Sequence, residues 1–283
     1  MSDRSPAHES TVEGEGSTTD ESPAGDDQET GDSVIDRALA ADFRDWYRER
    51  QEREHAREGK FEYIGPRDPP PTDVHFPSSL LACQRKRHYR EANAPAEDPK
   101  PLGHFRMGTA VETELVVPFL EDRVAGPDQA VTKGLGFEAE IETESGTLRL
   151  RGKTDPVVTS ADGDPLLVTE VKTVSDLDTL DGPREHHRAQ VHAYLAALAD
   201  RLDGSTREAL LLYVSKATLE LQPFRVTFDH AFWDDRVLPW MEARTAGRES
   251  DSLPPADPER DGECHYCEFR RRCGQTDHPA ADA

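Results

Sequence analysis

Lysine is scarce in this chain: of 34 basic residues only seven are lysines and 27 are arginines, against 57 Asp and Glu, for a formal net charge of −23. So acidic a total excludes indiscriminate nucleic-acid binding through bulk charge, though not a local basic groove. Bulky apolar residues are few too, with 35% hydrophobic and 7% aromatic residues. Heavy acid loading with little lysine predicts a halophile's protein, because at molar salt the Debye length is about 3 Å and self-repulsion is screened. No apolar run approaches the roughly 18 residues a membrane-spanning helix needs, and the acidic amino terminus lacks the apolar stretch of a signal peptide. The expectation is a cytoplasmic protein with no membrane partner. No Gly-x-Gly-x-x-Gly follows a strand-like run and no Walker loop is present, which excludes an open dinucleotide-binding unit and a P-loop NTPase. Internal repeats are absent. Cysteine is confined to Cys83, Cys264, Cys267 and Cys273, and in a cytosolic chain such a set favours metal over disulfides.

What is present divides along the 283 residues. Residues 1–32 are rich in Asp, Glu, Ser, Thr and Gly and predict a disordered acidic tail. Residues 33–77 predict an N-terminal helix, with Ile35, Leu39, Phe43, Trp46 and Tyr47 at helical spacing, followed by a Pro-rich linker. From Ser78 a single domain is expected to run to the end. It opens with a short helix carrying Cys83 and the cations Arg85, Lys86, Arg87 and Arg90. A helix over 103–122 follows, with an apolar stripe of Met107, Val111, Leu115, Val116 and Phe119. Paired strands are expected over 129–144 and 147–158, a third over 166–173, a helix over 183–202, strands over 209–215 and 220–228, and a helix over 229–244. The cysteine tail occupies 259–275. This order predicts a mixed α/β layer fold.

The stretch 148–173 carries the chemistry. Two strand-like runs flank the turn Asp162-Gly163-Asp164-Pro165, with Asp155 on the first and Glu170-Val171-Lys172 on the second. Side chains two apart on a strand share a face, so Glu170 and Lys172 point together and Val171 points to the opposite, buried side. If the hairpin closes, Asp155 joins them. Two carboxylates and a lysine on strands suit a divalent cation and a polarised oxygen. Further on, Gln190 and Tyr194 stand four apart on one helix face. His186, His187 and His192 are read as non-ligands.

Gly152-Lys153-Thr154-Asp155-Pro156, Glu170-Val171-Lys172 and Gln190-Val191-His192-Ala193-Tyr194 together resemble the PD-(D/E)XK nuclease superfamily, RecB-like branch. Cys83 with Cys264-x2-Cys267-x5-Cys273 resembles its iron–sulfur subgroup, which includes the CRISPR-associated RecB-like exonucleases. The resemblance implies a restriction-endonuclease-like core, a central mixed sheet flanked by helices, with an N-terminal helix and a C-terminal tail clamped by the cysteines. It implies a DNA nuclease dependent on Mg²⁺ or Mn²⁺ that prefers single-stranded DNA, acts in CRISPR spacer acquisition beside the integrase complex or in DNA repair, and uses Asp155, Glu170, Lys172, Gln190 and Tyr194. Asp155, Glu170 and the Val171 carbonyl would hold the metal. Relatives usually carry a helix histidine after a Gly-x-x-x; here Gly108-Thr-Ala-Val leads to Glu112, a carboxylate suited to hard cations. The departure leaves open a catalytically weak or inactive DNA-binding or adaptor protein on the same fold. A redox or scaffold protein without DNA is the third class.

Thiolates suit iron–sulfur clusters or zinc. Structural zinc more often shows paired Cys-x2-Cys knuckles, and one knuckle with a third cysteine six residues on and a remote fourth fits a [4Fe–4S] cluster better. A cluster there would clamp the Cys83 helix to the tail. It would also bring Arg85, Lys86, Arg87 and Arg90 toward Arg270, Arg271 and Arg272, two basic runs that are candidates for phosphate contact with DNA.

Overall fold

The computed structural model describes residues 49, 69–92, 102–202, 207–250, 252–258, 262–265 and 267–273, with backbone alone at 102–105. The chain divides into two units, Met1–Gly65 and Pro66–Ala283. The tail expected over 1–32 and the helix expected after it lie outside the described residues, apart from the exposed, helical Glu49. The second unit begins before Ser78, since β1 (Val74–His75) already pairs with β4 (Gly146–Lys153).

The second unit is a mixed α/β fold around a five-stranded sheet. Its strands are β2 (Gln129–Thr132), β5 (Val157–Ser160), β6 (Pro165–Val174), β7 (Glu208–Ser215) and β8 (Leu221–Thr227), in the spatial order β2-β5-β6-β7-β8. β6 and β7 are parallel and the other neighbours antiparallel. A parallel pair needs a crossover, and the helix Glu185–Ala197 lies within it. A smaller sheet of order β1-β4-β3 contains β3 (Gly136–Thr143) and the long β3–β4 hairpin.

β7 reads Ala-Leu-Leu-Leu-Tyr-Val, the near-continuous apolar run of a strand covered on both faces. Leu211 and Tyr213 pack with Val191, Tyr194 and Leu195 of the crossover helix and with Leu198 at its C-terminal cap. Leu212 and Val214 pack oppositely, with Val171, against Val111, Val116 and Leu120. The crossover helix also turns Ala189 and Ala193 toward Leu148 and Leu150 of the small sheet and toward Trp233, Trp240 and Met241. Small residues on that side let the second layer approach closely.

Numbering helices in chain order, α1 is Gln84–Glu91, α2 Leu102–Val111, α3 Val117–Arg123, α4 Glu185–Ala197, α5 His230–Phe232, α6 Leu238–Glu249 and α7 Arg270–Cys273. A π-helical turn, Glu112–Val116, joins α2 to α3, and this corrects the expected stripe. The wider turn shifts the helix face, so the buried residues are Val111, Val116 and Leu120, while Met107, Leu115 and Phe119 are 47%, 43% and 46% exposed. A second π turn, Trp233–Val237, joins α5 to α6. No described helix is long and apolar enough to cross a membrane.

The two uninterrupted strands expected over 129–144 and 147–158 are each broken, at 133–135 and 154–156. There the hairpin leaves one sheet for the other. Gly134 has φ +121°, and a β-carbon on it would fall 2.1 Å from the Thr154 carbonyl oxygen. Glycine alone permits that approach. The Thr154 amide donates to the Leu135 carbonyl at 3.0 Å, and the Leu135 amide to Thr154 Oγ1 at 2.9 Å.

Candidate active site

Asp155 occupies the second of these breaks, not a strand as the sequence suggested. Two threonines hold the backbone around it. Thr154 Oγ1 donates to the Asp155 carbonyl at 2.8 Å, and Thr169 Oγ1 donates to the Pro156 carbonyl at 2.6 Å. The register of β5 on β6 ends at Val168, and the Thr169 amide makes the last bond of that ladder, to Pro156. Beyond it the edge of β6 is open to the Asp155 side chain, whose Oδ2 accepts from the Val171 amide at 2.8 Å. A strand residue projects N–H and C=O to the same edge, so the Val171 carbonyl faces that edge as well.

Glu170 and Lys172 share a face, as alternation requires, and the Lys172 ammonium meets Glu170 Oε1. Val171 turns into the opposite core. Both sides of β6 are covered here, and Glu170 is 0% exposed. Its other oxygen, Oε2, has no hydrogen-bond partner. Gln190 Nε2 donates to the Tyr194 hydroxyl at 2.7 Å. That hydroxyl lies beside Glu170 without closing a well-formed bond to Oε2. Burial pushes Glu170's pKa up to about 7, with Asp155 adding to the rise and Lys172 opposing it. For Lys172 burial acts downward, but Glu170 and Asp155 hold its pKa above the ordinary value. Burial and the same two carboxylates raise that of Tyr194 well above its usual value.

Glu112 enters from the π turn on the other side of the sheet. Burial lifts its carboxyl to about 7, Asp155 adds to this, and Lys153, Lys172 and Lys133 oppose it. Asp155 is thus the common neighbour of Glu112 and Glu170. Carboxyls that resist ionisation on either side of Asp155, one of them with an orphaned buried oxygen, have the chemistry of a hard-cation site. Among the described residues, however, no three His, Cys, Asp or Glu side chains are drawn together as a ready-made cage for an ion.

Of the histidines, His192 accepts from the Asp229 amide through Nε2 at 3.0 Å, which leaves Nδ1 to donate to the Arg188 carbonyl at 2.8 Å. Both ring nitrogens are occupied by backbone. His187 Nδ1 is 2.8 Å from the hydroxyl of buried Tyr213, the cross-strand neighbour of Lys172. Neither Tyr213 nor the clamps Gly134, Thr154 and Thr169 was legible as part of the site. Only the Thr154 position within Gly152-x-x-Asp155 hinted at it.

The four cysteines line one pocket, with Lys86, Tyr89, Glu263, Phe269 and Arg270 among its other walls. Cys83 caps α1, and its amide donates to Glu263 Oε2 at 2.8 Å. Burial raises the thiol pKa of Cys83, Cys264 and Cys267. The cations of α1 are bound within the fold. Lys86 pairs with Glu263 at 3.3 Å, Arg90 with Glu268 at 2.5 Å and Arg87 with Glu91 at 3.8 Å. Arg85 donates to the Pro254 carbonyl at 2.8 Å. Arg270 lies on the pocket wall, Arg271 and Arg272 are exposed, and Arg272 stands over the Tyr89 ring at 5.9 Å.

The profile of the PD-(D/E)XK nuclease superfamily matches residues 68–274. Among solved structures the chain is similar to the crystal structure of SSO0001, with 15% identity and a TM-score of 0.51 over 76% of this chain and 91% of that one. At that identity the likeness is one of fold. No curated protein matches the chain.

Proposed function

The chain belongs to the PD-(D/E)XK nuclease superfamily, and from that premise we propose that it is a Mg²⁺- or Mn²⁺-dependent deoxyribonuclease acting on single-stranded ends or overhangs. The observation that carries the reading is the buried Glu170, one oxygen orphaned and the other against Lys172, beside an Asp155 fixed to the neighbouring amide. Asp155, Glu170, Glu112 and the Val171 carbonyl are the groups that would hold the ion. A bound divalent cation polarises the phosphate and lowers the pKa of its water.

The chain's own groups do the rest. Lys172 stays protonated beside the carboxylates, placed to orient the attacking water or to offset charge developing on the phosphate. Tyr194 and Gln190, bonded to each other, close the α4 side of the buried Glu170. Asp155, locked to the Val171 amide, holds one acceptor oxygen in place before any substrate arrives.

The four thiols are read as ligands of a structural [4Fe–4S] cluster that ties α1 to the tail. Lys86, Arg87 and Arg90 answer Glu263, Glu91 and Glu268 within the fold, and the two basic runs, Arg85 to Arg90 and Arg270 to Arg272, are the candidates for phosphate contact. Trimming of DNA before CRISPR spacer integration, beside the integrase complex, is the favoured setting and DNA repair the other. A DNA-binding or adaptor protein without activity is the rival reading, favoured by Glu112 where relatives carry histidine. Anaerobic purification with iron and sulfide analysis, then digestion of labelled single strands in high salt with Mn²⁺ or EDTA, tests the proposal. Four irons per chain and Mn²⁺-dependent cleavage are expected. Binding without cleavage supports the adaptor, and iron-free protein removes the cluster.

A further inference from the structure

We propose that Lys133 and Lys153 form a phosphate-binding subsite beside the carboxylates, gripping the backbone of the nucleic-acid strand next to the scissile ester. The inference rests on the nuclease reading and names how that site takes its substrate.

The chain has seven lysines, and three of them, Lys133, Lys153 and Lys172, act on the carboxyl of Glu112. Lys172 is spoken for by Glu170. The other two flank the break that positions Asp155. Lys153 ends β4, opposite Gly136 and two residues before Asp155. Lys133 opens the facing break, immediately before Gly134. The Lys153 stem crosses Gly134, with Cε 3.0 Å from where a β-carbon would lie. The bare glycine therefore lets the Lys153 stem lie across the break that Lys133 opens.

Both lysines are exposed, and neither forms an ion pair among the described residues. Elsewhere in the unit Arg149, Arg188, Arg225 and Arg236 are each held by a carboxylate at 2.5, 2.6, 2.6 and 3.0 Å. In a chain of net charge −23, two uncommitted cations at the mouth of an acidic site have a use if an anion docks there. Lysine also suits such a contact, because a compact charge on a flexible stem can meet one phosphate oxygen beside a metal, where the planar fork of arginine asks for a bidentate partner.

The test is the double variant Lys133→Gln/Lys153→Gln, with Lys153→Arg beside it and thermal melts confirming that each folds. KM for a labelled single strand should rise about tenfold with kcat within twofold, and Lys153→Arg, which keeps the charge but not the compact head, should fall between the wild type and the double variant. Each single-strand phosphate contact contributes about 0.7 to the slope of log affinity against log salt. By anisotropy in chelator, the double variant should therefore lose about 1.4 of that slope. Unchanged KM and salt slope overturn the subsite, and so does a fall in kcat at constant KM, which would make the lysines partners of the carboxylates alone. Wild-type protein that neither binds nor cuts single strands would instead overturn the nuclease reading beneath it.

Discussion

Replacing Glu170 by glutamine should stabilise the metal-free protein at alkaline pH while destroying its activity. Glu170 is wholly buried, and its pKa rises from 4.5 to about 7 in spite of Lys172. Below about pH 4.5 folded and unfolded chains both carry the proton. Between 4.5 and about 7 only the folded chain does, so stability falls as pH rises, and above about 7 the loss is complete. At about 1.36 kcal/mol per pH unit, the contribution lost between pH 5 and pH 8 is about 2–3 kcal/mol. Glutamine does not titrate. The wild-type curve should therefore fall relative to the Glu170→Gln curve by that amount over the interval, or roughly 5–10 °C in Tm for a domain of this size. Any fixed cost of fitting the amide cancels in this double difference. The assay is thermal or urea unfolding in chelator at constant molar salt, at four pH values. Mn²⁺ at pH 8 should raise the wild-type Tm and leave that of the variant in place. A gap that stays constant with pH, or equal stabilisation of both proteins by Mn²⁺, refutes the reasoning.

Lys172→Ala should abolish cleavage while far-UV circular dichroism stays that of the wild type; wild-type rates in that variant would remove Lys172 from the mechanism. Gly134→Ala should cost at least about 2 kcal/mol in urea unfolding, since strain at positive φ adds to a backbone collision with Thr154, and cleavage should fall with the displaced Asp155. Gly163, at φ +87° with nothing within 4 Å of a β-carbon, is the control: Gly163→Ala should cost about 1 kcal/mol and leave cleavage intact.

Much of the fold could be read from the chain because its signals are local. The alternation of Glu170-Val171-Lys172, the turn at Asp162–Pro165 and the apolar run of β7 each state a strand and its faces. The illegible parts depend on contacts distant in sequence. Nothing near Leu115 announces that a π turn will rotate Met107, Leu115 and Phe119 toward solvent. Nothing near Gly134 says that Thr154 will come against it, so the change of sheet at Asp155 reads as continuous strand. The same holds for charge. Arg85, Lys86, Arg87 and Arg90 look like a free basic cluster until Glu263 and Glu268, far along the chain, are folded against Lys86 and Arg90. Lys133 and Lys153 are unremarkable in the sequence and acquire interest only through their place at the rim of the site.

In the proposed nuclease Asp155 and Glu170 hold a divalent cation used to cut DNA. Digestion of an end-labelled single strand by chelator-stripped protein, with Mn²⁺ titrated back and Asp155→Asn run in parallel, tests it most directly. Cleavage that rises with Mn²⁺ in the wild type and falls by at least a hundredfold in the variant, about 2.7 kcal/mol of barrier, is the predicted result. Equal cleavage by the two proteins, or cleavage that persists in EDTA, would contradict it.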